Sequence, residues 1–335
     1  WLKVHVANCG DFGKISKRPF DERVAWVDEN LQRITEMTWL PLAEKWWTKA
    51  DKPFLFLAAC FELISAISHG PGYVTHVPVS FDGSCSGLQH LSAMTRAPEG
   101  ALVNLTPSAL PQDVYQVVAD RVIVRLKAEL DHPVYGQLAR ICLDYGITRK
   151  VVKRNVMTYS YSSKKFGMAD QQREDLMKPL ELQVLKKEIE EHPFGPDKGY
   201  AASKYLAGHV FAAIEEVVDR PAQAMAFLQK LAKAAAHEGK PLRWTTPVGL
   251  PWVNRYHEPT TKRVRLWMHD RGVNVPMDVK LAVGDQKPIN KEKAANGVAP
   301  NFVHALDGSH LLLTVLAASA EGIRSIATVH DSFGC

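Results

Sequence analysis

Residues 147–167 read Ile-Thr-Arg-Lys-Val-Val-Lys-Arg-Asn-Val-Met-Thr-Tyr-Ser-Tyr-Ser-Ser-Lys-Lys-Phe-Gly, and the rest of the chain is organised around them. They include six Lys or Arg, no acidic residue and no Pro. On a helix, a four-residue repeat forms one slowly drifting stripe, here made of Arg149, Lys153, Met157 and Tyr161. Lys153 and Tyr161 then lie about 12 Å apart along the axis, which is roughly the distance from the triphosphate to the base of a nucleotide. The stripe therefore predicts either a nucleotide-binding face or a basic, solvated surface helix, the commoner fate of a charge run.

The composition is that of an ordinary globular protein. A chain of 335 residues can bury a sizeable core and form about two domains. The net charge of +5 is compatible with a nucleic-acid partner but does not require one. The five cysteines have no paired spacing, which argues against a zinc site and for a reducing compartment. The most apolar run, 54–67, is too short to span a membrane and contains Glu62.

Apolar periodicity predicts a mostly helical α+β fold. The predicted helices, besides the basic stretch, cover 20–34, 39–47, 53–70, 111–130, most of 170–240 and 298–322. The helix that begins at Pro53 is apolar almost all round, so it is expected to be buried. The predicted strands cover 74–81, 242–246, 252–256, 261–268 and 323–329.

Two of these strands end in a carboxylate, Asp82 and Asp331. If the two strands are neighbours in one sheet, the carboxylates meet, and they repel each other unless cations lie between them. Magnesium suits such oxygen ligands and also binds substrate phosphates. A basic helix facing the same point completes the parts for two-metal nucleotidyl transfer. Taken alone, Asp82 is explained more simply as a helix N-cap.

The strand predicted over 261–268 carries Arg263 and Arg265 on one face, by the two-residue alternation of strands. A turn containing Arg271 follows, and Asn274 lies on the returning strand. A two-stranded ribbon with arginines on one face fits the major groove of DNA. The alternative is an exposed hairpin whose charges prevent its edges from pairing with other strands.

Four segments resemble the motifs of the single-subunit, bacteriophage-type DNA-directed RNA polymerases (the T-odd phage family), in the family's order. They are residues 81–90 (Phe-Asp-Gly-Ser-Cys-Ser-Gly-Leu-Gln-His), the first catalytic motif; 149–154 with Met157, Thr158 and Tyr161, the fingers-helix motif; 298–304 with 307–310, the segment before the last strand; and 330–334 (His-Asp-Ser-Phe-Gly), the third motif. The resemblance covers nearly the whole chain. It implies the right-handed palm-and-fingers architecture with a small antiparallel palm sheet, and template-dependent addition of ribonucleotides to the 3′ end of RNA.

The resemblance also implies roles for individual residues. Asp82 and Asp331 are expected to bind two Mg²⁺ ions together with the backbone carbonyl of Gly83. Arg149 and Lys153 are expected to hold the incoming triphosphate, and Lys153 to protonate the pyrophosphate leaving group.

Three further side chains complete the expected nucleotide site. Tyr161 is expected to gate the site and to favour a ribose 2′-hydroxyl. His304 is expected beside the sugar and the base edge, and Tyr115 in the same site. The arginines of the ribbon, with Asn274, are expected to read promoter DNA.

The resemblance divides the chain into four parts. These are a palm segment with a helical insertion at 1–98, fingers at 99–245, the promoter-specificity ribbon at 246–278, and the end of the fingers with the return to the palm at 279–335. The amino-terminal domain, the thumb and the palm after Cys335 are expected to be missing, including the strand that returns from Asp331. The isolated chain is therefore expected to be inactive. One departure from the family pattern is Ser162, where relatives have Gly after the gating Tyr.

The expected partners are promoter DNA, the template strand, nascent RNA and ribonucleoside triphosphates, with no membrane and a monomeric protein. No targeting signal is recognised, so the expected location is the cytoplasm of an infected bacterium. Phe81, Ser86 and the ending at 332–334 favour the phage branch over mitochondrial RNA polymerases, which carry Asn at the Ser86 position. Repair-type DNA polymerases have Glu where this chain has Ser332. A non-catalytic nucleic-acid-binding fragment is the remaining alternative.

Overall fold

The computed structural model of the protein describes residues 1–108, 110–270, 272–284 and 288–335. Its helices are α1 (Leu2–Gly10), α2 (Phe20–Glu29), α3 (Leu31–Trp39), α4 (Pro53–His69), α5 (Ser86–Thr95), α6 (Val114–Ala128), α7 (Gly136–Tyr145), α8 (Arg149–Tyr159), α9 (Lys165–Gln172), α10 (Lys178–Leu185), α11 (Tyr200–Val217), α12 (Asp219–His237) and α13 (Lys291–Ala320). Helix thus dominates the described part of the chain.

The strands form small antiparallel sheets with the orders β1-β7-β6, β2-β3 and β4-β5. They are β1 (Ser80–Asp82), β2 (Leu242–Thr245), β3 (Pro251–Asn254), β4 (Thr260–Asp270), β5 (Val273–Gly284), β6 (Ala327–Val329) and β7 (Ser332–Gly334). The predicted class, α+β and mostly helical with small antiparallel sheets, is confirmed.

The chain divides into two compact units. The first contains Trp1–Gly83, Ser108–Pro111 and His310–Cys335, and the second contains Ser84–Pro107 and Gln112–Ser309. Fully buried side chains form the core of each unit, among them Val27, Ile34, Met37 and Phe56 in the first and Leu88, Val118, Val152 and Leu206 in the second. The four-part division inferred from the resemblance stays a prediction.

The helix predicted over 20–34 is in fact two helices. Asn30, with φ −100° and ψ 6°, separates α2 from α3. Its side-chain Nδ2 donates a hydrogen bond to the carbonyl oxygen of Trp26 at 2.8 Å. An asparagine side chain that bonds the local backbone in this way competes with the regular hydrogen bonds of a helix. The helix is therefore interrupted at Asn30, although the apolar pattern of the sequence continues through it.

Two other predictions in the first unit are wrong. No separate helix forms over 39–47: α3 ends at Trp39, because Pro41 cannot continue it, and turns lead to a short 3₁₀ helix, Lys45–Lys49. The helix α4 has the predicted bounds but is not fully buried, since Phe54 is 78% exposed.

The predicted strands around the two carboxylates are shorter than expected. The strand predicted over 74–81 is reduced to β1, because Pro78 has no N–H for a ladder bond. The strand predicted over 323–329 is reduced to β6. The expectation that the strand returning from Asp331 is missing is wrong, because β7 is that strand and lies between β1 and β6. The presence of β7 removes one of the reasons for the predicted inactivity of the isolated chain, which stays a prediction.

Two further helices, α8 and α13, differ in length from the prediction. The helix α8 ends at Tyr159, and turns follow before α9. The helix α13 begins at Lys291, seven residues earlier than predicted, and Pro300 lies inside it. A proline inside a helix removes one backbone hydrogen bond, so the sequence alone suggested a helix start at this point.

One helix of the described residues, α13, is long and apolar enough to cross a membrane by length and composition alone. This is weak evidence for a membrane span, since the core helix of a soluble protein passes the same test. The expected absence of a membrane partner stays a prediction.

Candidate active site

The small sheet of the first unit brings Asp82 and Asp331 together. Strand β1 pairs with β7 so that Asp82 lies opposite Ser332, and the amide of Gly83 donates to the backbone carbonyl oxygen of Asp331 at 3.2 Å. Asp331 and His330 form the two-residue turn between β6 and β7. The φ of His330 is 54°, a left-handed conformation typical of such tight turns. The partner of β1 is therefore the returning strand β7 rather than β6.

Aromatic contacts hold this sheet in place within the first unit. The ring of Phe81, in β1, meets Trp1 and Phe20 edge-on, with centroids 5.2 and 6.2 Å apart. The ring of Phe333, in β7, meets His310 edge-on at 5.2 Å. Edge-to-face pairs at these distances are favourable. Backbone pairing and ring packing thus help to position the two aspartates.

The donor chemistry of this pair fits a hard divalent cation. Asp82, Asp331 and the carbonyl of Gly83 offer only oxygen ligands, and Mg²⁺ typically takes one or two carboxylates and fills its other positions with water and phosphate oxygens. Among the described residues, no three His, Cys, Asp or Glu side chains are grouped to hold a metal. The pair therefore suits an ion whose remaining ligands come from solvent and substrate, not a closed protein cage.

Helix α8 of the second unit presents a basic face to solvent. Its inner face buries Val152, Val156 and Tyr159. Lys153 and Met157 are exposed, and Arg149, at the first turn of the helix, is partly exposed. The predicted stripe therefore exists from residue 149 to residue 157. The alternative of a plain solvated helix is weakened by the specific contacts of Arg149.

Arg149 is held by Asp113, which was not among the predicted site residues. Oδ1 of Asp113 accepts hydrogen bonds from the amides of Tyr115 and Gln116 and so caps α6, while Oδ2 accepts from Nε of Arg149. The guanidinium carbon of Arg149 lies 4.8 Å from the centre of the Tyr115 ring. Burial, and next the neighbouring Cys85, raise the pKa of the Tyr115 phenol, which therefore stays neutral. An Asp directly before an apolar helix is an N-cap signal, and it was visible in the sequence.

Tyr161 does not lie on α8, so the predicted single stripe is wrong beyond the end of that helix. The amide of Tyr161 donates to the carbonyl oxygen of Thr158 at 3.1 Å, within the turn that follows. This turn stacks the phenol ring on the imidazole of His304, with ring centroids 5.0 Å apart and planes at 11°. Two of the predicted nucleotide-site residues are thus in contact.

Ser162, the departure from the family pattern, has a φ of 66°. This is the left-handed region, which favours glycine and costs a side-chain-bearing residue about 1–2 kcal/mol. Oγ of Ser162 accepts a hydrogen bond from Nε2 of Gln229 at 3.3 Å. The backbone shape that a glycine would supply is therefore kept, and a side-chain contact offsets part of the strain.

Helix α5 packs directly against the end of α8 through Gly87. A Cβ at Gly87 would lie 2.2 Å from Oγ of Ser160, too close to be accommodated without a shift. Ser160 is itself fully buried beside the turn that carries Tyr161. Gly87 of the first motif therefore allows α5 to pack closely against this turn, where a larger residue would not fit.

A partly buried carboxylate, Asp307, lies beside His304 on α13. Its Oδ1 is 2.9 Å from Nε2 of His90, and its Oδ2 is 3.5 Å from Nδ1 of His304. Burial alone would raise the pKa of Asp307, but hydrogen bonds from His90 and Ser86 and the nearby His304 lower it below its usual value. Neither Asp307 nor His90 was predicted as a site residue, although Asp307 follows His304 by three residues on one helix.

The predicted site residues belong to both units. Asp82, Gly83 and Asp331 belong to the first unit, whereas Tyr115, Arg149, Lys153, Tyr161 and His304 belong to the second. Within the second unit the structure forms two contacting pairs, Arg149 with Tyr115 and Tyr161 with His304.

The ribbon of β4 and β5 carries its arginines as predicted, but they have an intramolecular partner. Arg265 lies directly opposite Asp278, and its Nε and Nη2 donate to the two carboxylate oxygens at 3.0 and 3.3 Å. Nε of Arg263 is 3.4 Å from the same carboxylate. Oδ1 of Asn274 is 3.0 Å from Nδ1 of His269. Arg271, the fourth predicted DNA-binding residue, lies outside the described residues.

Comparison with known proteins supports one family. A family model described as DNA-dependent RNA polymerase matches residues 1–335. The chain is 35% identical over 370 residues to the T7 RNA polymerase of Escherichia phage T7 and 36% identical over 370 residues to the DNA-directed RNA polymerase of Enterobacteria phage K11. It is 35% identical over 337 residues to the mitochondrial DNA-directed RNA polymerase of Mus musculus.

These relatives are much longer than the chain. The two phage alignments cover 100% of this chain but 40% and 39% of the relatives, and the mouse alignment covers 99% of the chain and 26% of the relative. The chain therefore spans about 40% of the length of the phage proteins that it matches.

Proposed function

Because the chain belongs to the DNA-dependent RNA polymerase family, we propose that it carries the active centre of a template-directed RNA polymerase. The observation that carries this proposal is the pairing of β1 with β7, which sets Asp82 beside Asp331. In the reaction, the 3′ oxygen of the RNA bonds to the α-phosphorus of a ribonucleoside triphosphate, while the bond from that phosphorus to pyrophosphate breaks. The expected architecture is the palm and fingers of a right-handed polymerase.

The aspartate pair is proposed to bind two Mg²⁺ ions. Asp82 and Asp331 supply carboxylate oxygens, and Gly83 supplies its backbone carbonyl oxygen. When bound, two such ions activate the attacking hydroxyl and stabilise charge on the attacking and leaving oxygens. The family supports a divalent-metal requirement in general, and the oxygen-only donor set supports magnesium as the metal.

The basic face of α8 is proposed to bind the triphosphate. Lys153 is exposed on this face, where its ammonium can reach phosphate oxygens and donate a proton to the departing pyrophosphate. Arg149 has a fixed orientation, because Asp113 holds its Nε and the Tyr115 ring lies under its guanidinium. Its other guanidinium nitrogens remain able to bond phosphate, for which a planar fork is well suited.

We further propose that the full protein is a phage-branch, promoter-specific enzyme. Its partners are then double-stranded promoter DNA, a template strand, nascent RNA and ribonucleoside triphosphates, and it acts as a monomer in the cytoplasm of the infected host. Ser86 and Ser332 support this branch over the mitochondrial one. The overall identities to phage and mitochondrial relatives are too similar to separate the two branches.

Tyr161→Phe is expected to lower the preference for ribonucleotides over deoxyribonucleotides by about 10- to 100-fold, with little loss of rate. The substitution removes only the phenol hydroxyl and keeps the ring that stacks on His304. A site that hydrogen-bonds a substrate hydroxyl rejects analogues that lack it, so losing the donor relaxes selection. The measurement is competition between each nucleotide and its 2′-deoxy analogue, in an active polymerase that contains this chain.

Tyr145→Phe is the matched control, because Tyr145 is a half-buried tyrosine of the same unit that packs on Phe194. It should leave the selectivity unchanged. An unaltered preference for the 2′-hydroxyl in Tyr161→Phe would contradict the gating role.

Arg265→Gln is expected to change which promoter base is preferred while leaving elongation on a preformed primer–template nearly unaffected. A guanidinium that pairs with the O6 and N7 edge of guanine contributes about 1–3 kcal/mol of discrimination per base pair. Asp278 already holds this fork, so DNA contact must use its free edge or displace the carboxylate. Transcription from a panel of single-base promoter variants measures the preference.

Arg243→Gln, in the exposed part of β2, serves as the control and should keep the wild-type promoter preference. A uniform drop in transcription from all promoters in Arg265→Gln, with no change in preference, would reduce the ribbon to a phosphate-binding clamp.

A further inference from the structure

Asp307 connects two histidines on different helices. His90 is on α5 and His304 on α13, and both ring nitrogens nearest the carboxylate lie within 3.5 Å of it. The side chains of His90 and Asp307 are less than one-fifth exposed, whereas that of His304 is 59% exposed. The inner end of this network is thus fixed by packing, and its outer end faces solvent.

The network has the features of a rigid support. Ser86, at the start of α5, also donates to the Asp307 carboxylate, and the lowered pKa keeps this carboxylate ionised at neutral pH. Hydrogen bonds to an ionised group are stronger than neutral ones and hold their partners in a defined geometry. The His304 ring is therefore held at Nδ1 by a charge that α5 keeps in position.

The other side of the His304 ring supports Tyr161. The two rings are nearly parallel, at 11°, with centroids 5.0 Å apart. The turn that carries Tyr161 follows the end of α8 at Tyr159. It is held by backbone hydrogen bonds from the amides of Tyr161 and Ser162 to the carbonyl oxygens of Thr158 and Tyr159, at 3.1 and 2.9 Å. The backbone of the turn is therefore fixed, and the His304 ring is one of the surfaces that orient the phenol.

We propose that Asp307 is a positioning residue, which fixes the His304 ring and through it the Tyr161 phenol that selects the nucleotide sugar. The inference rests on the proposed function and adds a residue to it that touches neither nucleotide nor metal. Loss of the carboxylate frees the His304 ring to rotate about its side-chain bonds. The phenol hydroxyl is then no longer held in one place, and selection for the 2′-hydroxyl weakens.

The test is a double-variant cycle of Asp307→Asn and Tyr161→Phe in an active polymerase that contains this chain. The quantity measured is the ratio of kcat/KM for a ribonucleotide to that for its 2′-deoxy analogue. Asp307→Asn should lower this ratio about tenfold when Tyr161 is present and less than about twofold when Tyr161→Phe is already present, because residues that act through one another are not additive. A residue with only a structural role would lower both kcat/KM values together and leave their ratio unchanged.

Asp131→Asn is the control, an exposed Asp of the same unit in the turn after α6, and it should change neither value. If Asp307→Asn does not fold, Asp307→Glu, which keeps the charge but moves it by one methylene, carries the same cycle. Equal factors with and without the tyrosine hydroxyl, or no change in the ratio, would overturn the proposal. If the Asp307 proposal fails in this way, the proposed function still stands when the wild type extends a primer and Tyr161→Phe alone lowers the ratio of the two kcat/KM values.

Discussion

Replacing Asp82 or Asp331 by Asn is expected to slow nucleotide addition by about 10²- to 10³-fold or more, with DNA binding largely intact. Each substitution removes a negative charge that is proposed to hold a metal ion, and with it the proposed stabilisation of charge at the reacting phosphate. DNA affinity comes mostly from contacts between basic side chains and the phosphate backbone, which these variants keep. Single-turnover extension of an RNA primer and DNA retention in a gel measure the two properties separately.

The two variants keep the backbone pairing and the ring packing that contribute to holding the sheet. Backbone hydrogen bonds join β1 to β7, and the amide of Gly83 bonds the backbone oxygen of Asp331. Asn is nearly the same shape as Asp, so the variants should fold. Asp21→Asn, an exposed Asp in the first turn of α2, is the matched control. Near-normal extension by either site variant would refute the metal assignment.

Lys153→Ala is expected to lower kcat/KM for every nucleoside triphosphate by about 10²- to 10³-fold, the cost of removing one preorganised charge from a transition state. The lysine is exposed on the face of α8 that also carries Arg149, and truncating it leaves the buried face of the helix untouched. If Lys153 also protonates the pyrophosphate, kcat falls along with the rise in KM, because the interaction is strongest in the transition state.

Lys150→Ala provides a strict comparison for this prediction. Lys150 is an exposed lysine on the same helix, so its loss changes the net charge equally. Its effect should be small, within about threefold, as expected for a general electrostatic contribution. Equal losses in the two variants would mean that α8 attracts the substrate only through its overall charge.

Local patterns in the sequence predicted the features that depend on local physics. The apolar periodicity of α8 and α6 reflects the face each helix buries, and the alternation of Arg263 and Arg265 reflects the two-residue repeat of a strand. The adjacency of Asp82 and Asp331 was predicted only on the condition that their strands are neighbours. The structure does not meet this condition, because β7 lies between the two predicted strands and pairs with both. The aspartates are brought together by β7, a strand of three residues that is too short to give a periodic signal.

The sequence did not reveal the contacts between residues that lie far apart along the chain, because no local repeat in the sequence marks such pairs. Asp113 with Arg149, and His90 with Asp307, meet only after the helices have packed. The end of α8 was missed for a different reason. Its apolar and basic pattern continues past Tyr159, but the left-handed Ser162 breaks the helix, and serine gives no warning of that conformation as glycine would.

The measurement that tests the central claim most directly is the extension of an RNA primer by one nucleotide on a DNA template, by an active polymerase that contains this chain. Each ribonucleoside triphosphate is supplied alone, with and without Mg²⁺, to the wild type and to the Asp82→Asn Asp331→Asn double variant. The prediction is that only the nucleotide complementary to the template base is added, that addition requires the metal, and that the double variant adds none. Extension by the double variant at the wild-type rate, or addition by the wild type that ignores the template base, would contradict the assignment of this chain as a polymerase active centre.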